Sequence, residues 1–318
     1  MGVAPGAAAQ TQKKLPMLTI GLIAALVVVV LFAGVALLGG RNGTASSSGD
    51  ASSAQSGTSS SSSSSSSGSA SACTTAPDAD VTSIDTTDGN MMVATVRLSS
   101  SCSGSSKATF DANNTKIEIT DSGSLVASAI FDFSADPIDL SSSSAQVKLA
   151  FKPNQYWTVP DQTSASSLSV SMGSASPADG AASSLGNGVL GGANALTNDE
   201  RESDAHQALE NQIEHDKSAA NGFYTTYTTQ LSSKRSGLNA EGKTWTYQDI
   251  WEEFLNFKER YPNALLIWSN DYPNYTKKGP SEWYVTLSGE SFSSTDAADN
   301  WCSANGYDTD HCLPVDLS

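Results

Sequence analysis

The chain has 318 residues, with 17 Lys and Arg against 33 Asp and Glu, for a formal net charge of −16. A surface so acidic repels DNA, RNA and other polyanions, which removes nucleic acid from the partners to consider. Hydrophobic residues make up 38% of the chain, and they are distributed very unevenly along it.

Residues 17–38 read MLTIGLIAALVVVVLFAGVALL, with Thr19 as the only polar side chain and no charge. As a helix rising ~1.5 Å per residue this run spans roughly 33 Å, enough for a hydrocarbon core of about 30 Å. A backbone in lipid must pair its own N–H and C=O groups, which a helix does. A buried core helix would keep a polar stripe, and a cleavable signal peptide has an apolar run of only about 7–15 residues. The run therefore predicts an uncleaved signal-anchor, a single transmembrane helix. Lys13 and Lys14 precede it and Arg41 alone follows it, which predicts a cytoplasmic N-terminus over residues 1–16. The four cysteines, Cys73, Cys102, Cys302 and Cys312, all follow the span and fall into two local pairs. Such pairs suit an oxidising compartment, and they lack the short C-x₂₋₄-C spacing of zinc sites. The expected protein is single-pass in the cell membrane, with its C-terminal domains extracytoplasmic. Three of the bases and none of the acids precede Asn42, so the exterior part carries a net charge of −19.

Residues 42–72 are a Ser-rich, low-complexity tether. Serine fills 17 of the 31 positions, including the unbroken run 59–67, and there is no large apolar side chain to bury. Such a composition does not offset the ordering entropy of folding, so a disordered linker is expected. From 73 to 172 the apolar period becomes two. Met92, Ala94, Val96 and Leu98 alternate with polar or smaller neighbours; Leu125, Ala127, Ala129, Phe131 and Phe133 share a face. Ile117 and Ile119, then Val147, Leu149 and Phe151, then Leu168, Val170 and Met172 repeat the pattern. Short alternating strands between Ser, Gly, Asn and Asp clusters predict an all-β sandwich. A Cys73–Cys102 bridge would tie its leading segment to the hairpin after Leu98. The stretch from Phe131-Asp132-Phe133 to Val147-Lys148-Leu149-Ala150-Phe151 resembles the immunoglobulin-like domains of secreted bacterial lipoproteins.

Residues 173–196, rich in Gly, Ala and Ser, read as a second linker. A helix over 197–221 then opens on a capping box of Thr197 and Glu200, with Asp199 and Glu200 at the positive end of its dipole. Ala205, Leu209 and Ile213 form its narrow apolar stripe. His206 and His215 on this helix are expected to be solvent-exposed, with no metal bound. Five of the six tryptophans lie beyond it: Trp245, Trp251, Trp268, Trp283 and Trp301. The remaining elements, in order, are a strand over 223–232 and a helix capped by Thr246 and Asp249, bearing Ile250, Trp251, Phe254, Leu255 and Phe257. Strands over 264–269 and 283–287 follow, then a helix capped by Ser293 and Asp296 with Gly306 as its stop, and a strand over 311–315. The order β-α-β-β-α-β is the split βαβ plan, an α+β domain with both helices on one sheet face. A Cys302–Cys312 bridge would staple its last helix to its last strand. The expected fold is thus multidomain: a transmembrane helix, an immunoglobulin-like sandwich and an α+β domain over 223–318.

The run Trp283-Tyr284-Val285-Thr286-Leu287-Ser288-Gly289-Glu290-Ser291-Phe292, the capped helix with Ala297 and Ala298, and Gly306-Tyr307 resemble the SPOR domain. The strand ending Gln230-Leu231-Ser232-Ser233 is similar to the first strand of that family. Ile267-Trp268-Ser269, Trp301-Cys302 and His311-Cys312 resemble a pattern in related bacterial envelope proteins. The resemblance covers residues 223–318. It implies peptidoglycan glycan binding on the sheet face opposite the helices. If Val285 and Leu287 face the helices, Tyr284, Thr286 and Ser288 project the other way, and Gln230, Trp268 and Asn270 join them. Hydroxyl, amide and aromatic groups on a flat sheet suit a sugar strand, and they equally suit a protein interface.

Catalysis has little in its favour. Three histidines, no G-x-S-x-G elbow, no H-E-x-x-H and no phosphate loop leave no assembled nucleophile or metal centre. Glu252 and Glu253 are helix neighbours and so diverge. The expectation is a non-enzymatic, membrane-anchored envelope protein without a cofactor, which binds peptidoglycan glycan or serves as an adaptor for another envelope protein.

Overall fold

The computed structural model describes residues 76–87, 89–100 and 109–318. The expected transmembrane helix, the serine tether and the Cys73–Cys102 bridge lie outside them. Among the described residues no helix is long and apolar enough to cross a membrane.

The alternating segments form strands. In chain order they are β1 (Asp78–Thr87), β2 (Met91–Ser99), β3 (Thr109–Phe110), β4 (Thr115–Asp121), β5 (Ser124–Phe131), β6 (Ile138–Asp139), β7 (Ser144–Phe151) and β8 (Leu168–Ser174). Residues 173–196, read above as a linker, carry three more: β9 (Ser183–Gly186), β10 (Val189–Gly191) and β11 (Ala193–Asn194). One sheet runs β1-β2-β7-β10-β9 and the other β11-β5-β4-β8, while β3 and β6 pair separately. The short β10 lies parallel to β7, with Leu190 opposite Leu149, and β11 then joins the other sheet against β5. Gly192 sits at this crossing because nothing larger fits: a Cβ there would lie 2.4 Å from the Ala129 Cβ. Met92, Val96 and Leu98 of one sheet and Ile117, Ile119 and Phe131 of the other meet in a single core cluster, all fully buried.

The chain continues through α1 (Asn198–Ala220), β12 (Thr228–Lys234), β13 (Asn239–Ala240), β14 (Lys243–Thr244), α2 (Tyr247–Arg260) and β15 (Leu265–Trp268). It ends with α3 (Pro273–Thr276), β16 (Tyr284–Leu287), α4 (Thr295–Ala304) and β17 (Leu313–Val315). Thr197 and Thr246 each close a capping box, with Glu200 and Asp249. At α4 the capping side chain is Ser294, one residue beyond the expected Ser293. Gly306, at φ 82°, turns the chain out of α4 in the left-handed region that glycine enters without cost. Asn221–Tyr224 form a 3₁₀ turn, so the strand expected from residue 223 begins only at Thr228.

The third sheet has the order β15-β16-β12-β17, antiparallel throughout. β12 and β15 are joined through α2 with β16 between them, and β16 and β17 through α4 with β12 between them. Both connections are split βαβ units. Cys302 of α4 and Cys312 ahead of β17 form a disulfide, with Cα atoms 5.7 Å apart and both residues buried.

This sheet is covered on both faces. Leu266 and Tyr284 pack with Ala205 and Leu209 of α1 and Ile250, Trp251 and Phe254 of α2. Leu265, Ile267, Val285 and Leu287 pack on the reverse face against Phe223, Tyr272 and Leu317. Leu265 stands opposite Leu287 and Leu266 opposite Thr286, so one face alternates with the other along each strand. The open sheet face expected from Val285 and Leu287 is therefore filled. The aliphatic pair faces away from the helices because residues outside the sheet and helices supply a second apolar layer.

Two polar side chains of α1 fix this layer. Asp216, 2% exposed, accepts from the Leu266 backbone N–H at 2.7 Å, on the side of β15 that has no neighbouring strand. Glu202 accepts from the backbone N–H groups of Tyr247 and Gln248, at 2.7 and 3.1 Å, and so satisfies the first turn of α2.

The α+β portion is also sealed onto the sandwich. Trp251, 1% exposed, donates its indole N–H to the Tyr156 carbonyl at 3.0 Å. The Tyr156 hydroxyl donates to the Asn90 carbonyl at 2.8 Å, and burial pushes its pKa up. Gly89 N–H donates to Glu259 at 3.1 Å, and buried Arg201 reaches Asp179 at 3.0 Å and the Leu196 carbonyl at 2.9 Å. Sandwich and α2 residues share one core cluster. The α+β portion thus has no separate core of its own on this side.

Candidate functional site

At the end of the third sheet α1, α2 and the loop after β12 leave a cleft of about 720 Å³. Volumes of roughly 300–1,000 Å³ are usual for small-ligand sites. His206, Glu210 and Ile213 line it from α1 at spacings of four and three, the spacing that puts residues on one helical face. Tyr247 is the first residue of α2. Trp268 ends β15 and Tyr284 begins β16, directly opposite each other in the register. Arg235, Ser236 and Gly237 follow β12, and Asp271 and Glu282 stand on the loops that leave β15 and enter β16.

The rings form a continuous wall. His206 stacks on Tyr247 at 4.1 Å between centroids and 23° between planes. Tyr247 meets Tyr284 edge-on at 6.0 Å, and Tyr284 meets Trp268 at 5.0 Å and 61°. Burial, then the neighbouring Tyr247 and Glu210, push the Tyr284 hydroxyl pKa well up, so it remains a neutral donor and acceptor. Glu210 lies 3.6 Å from His206 Nε2. Glu210, Asp271 and Glu282 are all exposed. Among the described residues Arg235 is the only Lys or Arg lining the cleft, and its guanidinium lies over the Trp283 ring at 4.9 Å. The cleft thus combines an aromatic floor with an acidic rim. It can stack rings on C–H surfaces and accept hydrogen bonds from hydroxyl or ammonium groups.

The six residues expected to form one ligand face divide. Trp268 and Tyr284 lie in the cleft, on the helix side of the sheet. Thr286 shares their face but is sealed, 3% exposed. Ser288 is fully buried and accepts from Thr229 Oγ1 at 2.8 Å. Gln230 accepts from the Tyr275 hydroxyl at 2.8 Å, and Asn270, exposed, accepts from the Ser281 N–H at 3.2 Å. Sequence reasoning missed Tyr247, Glu210, Asp271, Glu282 and Arg235, and read His206 as simply solvated. The spacing of His206, Glu210 and Ile213 was the available signal. His215 does point to solvent, with Nδ1 at 2.9 Å from Asp216.

A second polar cluster lies near β17. Ser232 donates to Glu253 at 2.6 Å; Lys234 lies 2.7 Å from Glu241, 3.7 Å from Glu253 and 4.5 Å from the Trp245 ring centre. Burial raises the Glu253 pKa while Ser232 and Lys234 pull it back. His311 lines the same small depression and is held by Asp308 at 2.6 Å. Ser232, Glu253, Lys234 and Glu241 thus form one hydrogen-bonded charge network. Among the described residues no group of His, Cys, Asp and Glu has the geometry of a metal site.

No family model matches this chain, and no curated protein or solved structure is significantly similar to it.

Proposed function

We propose that this chain is a non-enzymatic, membrane-anchored protein of the bacterial cell envelope that binds peptidoglycan glycan in the cleft between α1, α2 and the third sheet. The observation that supports this is the wall formed by His206, Tyr247, Tyr284 and Trp268 beside Glu210, Asp271 and Glu282. Aromatic rings stack on the C–H faces of sugars, and carboxylates accept from their hydroxyls. The site differs from the one implied by the SPOR resemblance, because the sheet face opposite the helices is filled. The split βαβ order keeps that resemblance a reasonable reading of the fold. The extracytoplasmic location that the sequence predicts would put cell-wall polymer within reach of the protein.

The test uses the full chain in detergent, since α2 shares its core with the sandwich. Co-sedimentation with isolated cell-wall sacculi should retain the wild type, and Trp268→Ala or Tyr247→Ala should weaken retention about tenfold, a factor equal to ~1.4 kcal/mol. Near-UV circular dichroism checks that both variants stay folded. A folded wild type that ignores sacculi but captures a defined envelope protein would replace the glycan reading with the adaptor reading.

A further inference from the structure

We infer that the cleft selects sugars bearing a free, protonated amine, hexosamines without their N-acetyl group, over the N-acetylated forms. This rests on the glycan reading above and names its substrate class. Three carboxylates, Glu210, Asp271 and Glu282, face one guanidinium, Arg235, across an aromatic floor. Arg235 lies over Trp283, and among the described residues the ion-pair partner of Glu210 is the His206 imidazole, at 3.6 Å. These three carboxylates and one guanidinium give the cleft two net negative charges, within an exterior chain at −19. An ammonium group would gain charge-assisted hydrogen bonds from the carboxylates. It would also gain from the negative ring faces of Tyr247, Tyr284 and Trp268. An acetamide gains neither, and a sugar carrying a carboxylate is repelled.

The hydroxylated ring remains necessary in this reading, because the rings of the floor meet its C–H face whatever the nitrogen carries. The charge at the rim decides between sugars that the floor accepts equally. Glu282 and Asp271 reach the cleft from two separate loops, so their effect is expected to be joint.

The experiment measures binding of two tetramers to the full chain by isothermal titration, at low salt and a pH at which the amine is protonated. One is a β-1,4-linked glucosamine tetramer and the other its fully N-acetylated counterpart. The free-amine tetramer should bind about tenfold or more tightly, a ratio that falls towards one as salt screens the rim. The double variant Asp271→Asn/Glu282→Gln, both exposed positions, should bring the ratio of the two affinities down to about one. Equal or tighter binding of the acetylated tetramer overturns the amine selection while the glycan reading stands. Preference that survives in the double variant overturns its assignment to the cleft rim. Binding of neither tetramer overturns both readings.

Discussion

Helix α2 carries two aromatic residues one turn apart that meet very different surroundings. Trp251 points into the seam with the sandwich, is 1% exposed, and has its one polar atom bonded to the Tyr156 carbonyl. Tyr247 points into the cleft, stacked on His206 and half-buried. The chemistry of the two rings is similar. The difference lies in what stands opposite: Tyr156 and its neighbours close the seam, whereas the exposed Glu210, Asp271 and Glu282 border the cleft. An aromatic ring whose surface is fully covered contributes stability. One whose surface is left beside exposed carboxylates is available to a ligand.

The contrast is broken most severely at Trp251. Trp251→Ala removes the largest side chain in the seam and leaves the Tyr156 carbonyl without its donor, so unfolding free energy should fall by about 3–5 kcal/mol. Because sandwich and α+β portions share a core cluster, denaturant unfolding of the wild type should be a single transition. Two separated transitions in the wild type would show that the seam does not couple the parts.

The disulfide comes next. Cys302 and Cys312 close a short loop, with a sequence separation of 10, at the end of the module remote in sequence from the seam. Its reduction should cost roughly 2–3 kcal/mol in the chain-entropy account and leave the sandwich intact. Non-reducing peptide mapping checks the pairing, and the shift in denaturation midpoint on reduction checks the magnitude. A loss as large as that of Trp251→Ala, reaching the sandwich, would contradict the local role.

Much of the secondary structure was legible because local signals decided it. The Thr197/Glu200 and Thr246/Asp249 boxes mark helix starts that the structure shows, and the period-two runs through Met92, Ile117 and Val147 lie in strands. What was not legible depends on partners distant in sequence. Val189, Leu190 and Ala193 are isolated among Gly, Ala and Ser, and pairing of β10 with β7 and β9, and of β11 with β5, makes them strands. β16 carries alternation, but alternation does not say which face the helices cover. That depends on Phe223, at the head of an expected strand, and on Tyr272 and Leu317, which belong to no predicted pattern. For this reason Trp268, Tyr284 and Thr286 are expected on the face opposite the helices, whereas Trp268 and Tyr284 lie on the helix side. The apolar width of α2, with Ile250 and Trp251 adjacent as well as Phe254 and Leu255, was the one local sign of a second packing surface.

Asp216 separates the cleft from the seam experimentally. Its carboxylate holds α1, which carries one wall of the cleft, against the edge of β15. Asp216→Ala leaves the Leu266 N–H buried and unpaired, at a cost of about 1–3 kcal/mol, whereas Asp216→Asn keeps an acceptor and should cost less. Hydrogen exchange should quicken at Leu266 and along α1 while amides of β2 and β7 stay protected. Equal quickening in the sandwich would mean that α1 is part of the seam's cooperative unit and not a separable wall of the cleft.

The smallest effect expected is at the surface pair of His311 and Asp308, 2.6 Å apart with both side chains about two-thirds exposed. It supplies a contrast of a different kind, since a contact in water should contribute little and should depend on pH where the sealed seam does not. The Asp308 hydrogen bond, and then its charge, raise the His311 pKa above its ordinary value near 6.5. The same hydrogen bond is the largest cause of the lowered Asp308 pKa. The signs follow from these two shifts. A raised histidine contributes stability that is complete below about 6.5 and is lost as pH rises through the shifted value. A lowered aspartate contributes stability that is complete above about 3.9 and is lost as pH falls through its own shifted value. The pair therefore stabilises fully between about pH 4 and pH 6.5 and loses its effect on the alkaline side. The denaturation midpoint of His311→Ala should lie slightly below wild type at pH 5.5 and converge with it by pH 8.5. A difference that stays constant across this range would show that the imidazole acts by packing and not by charge.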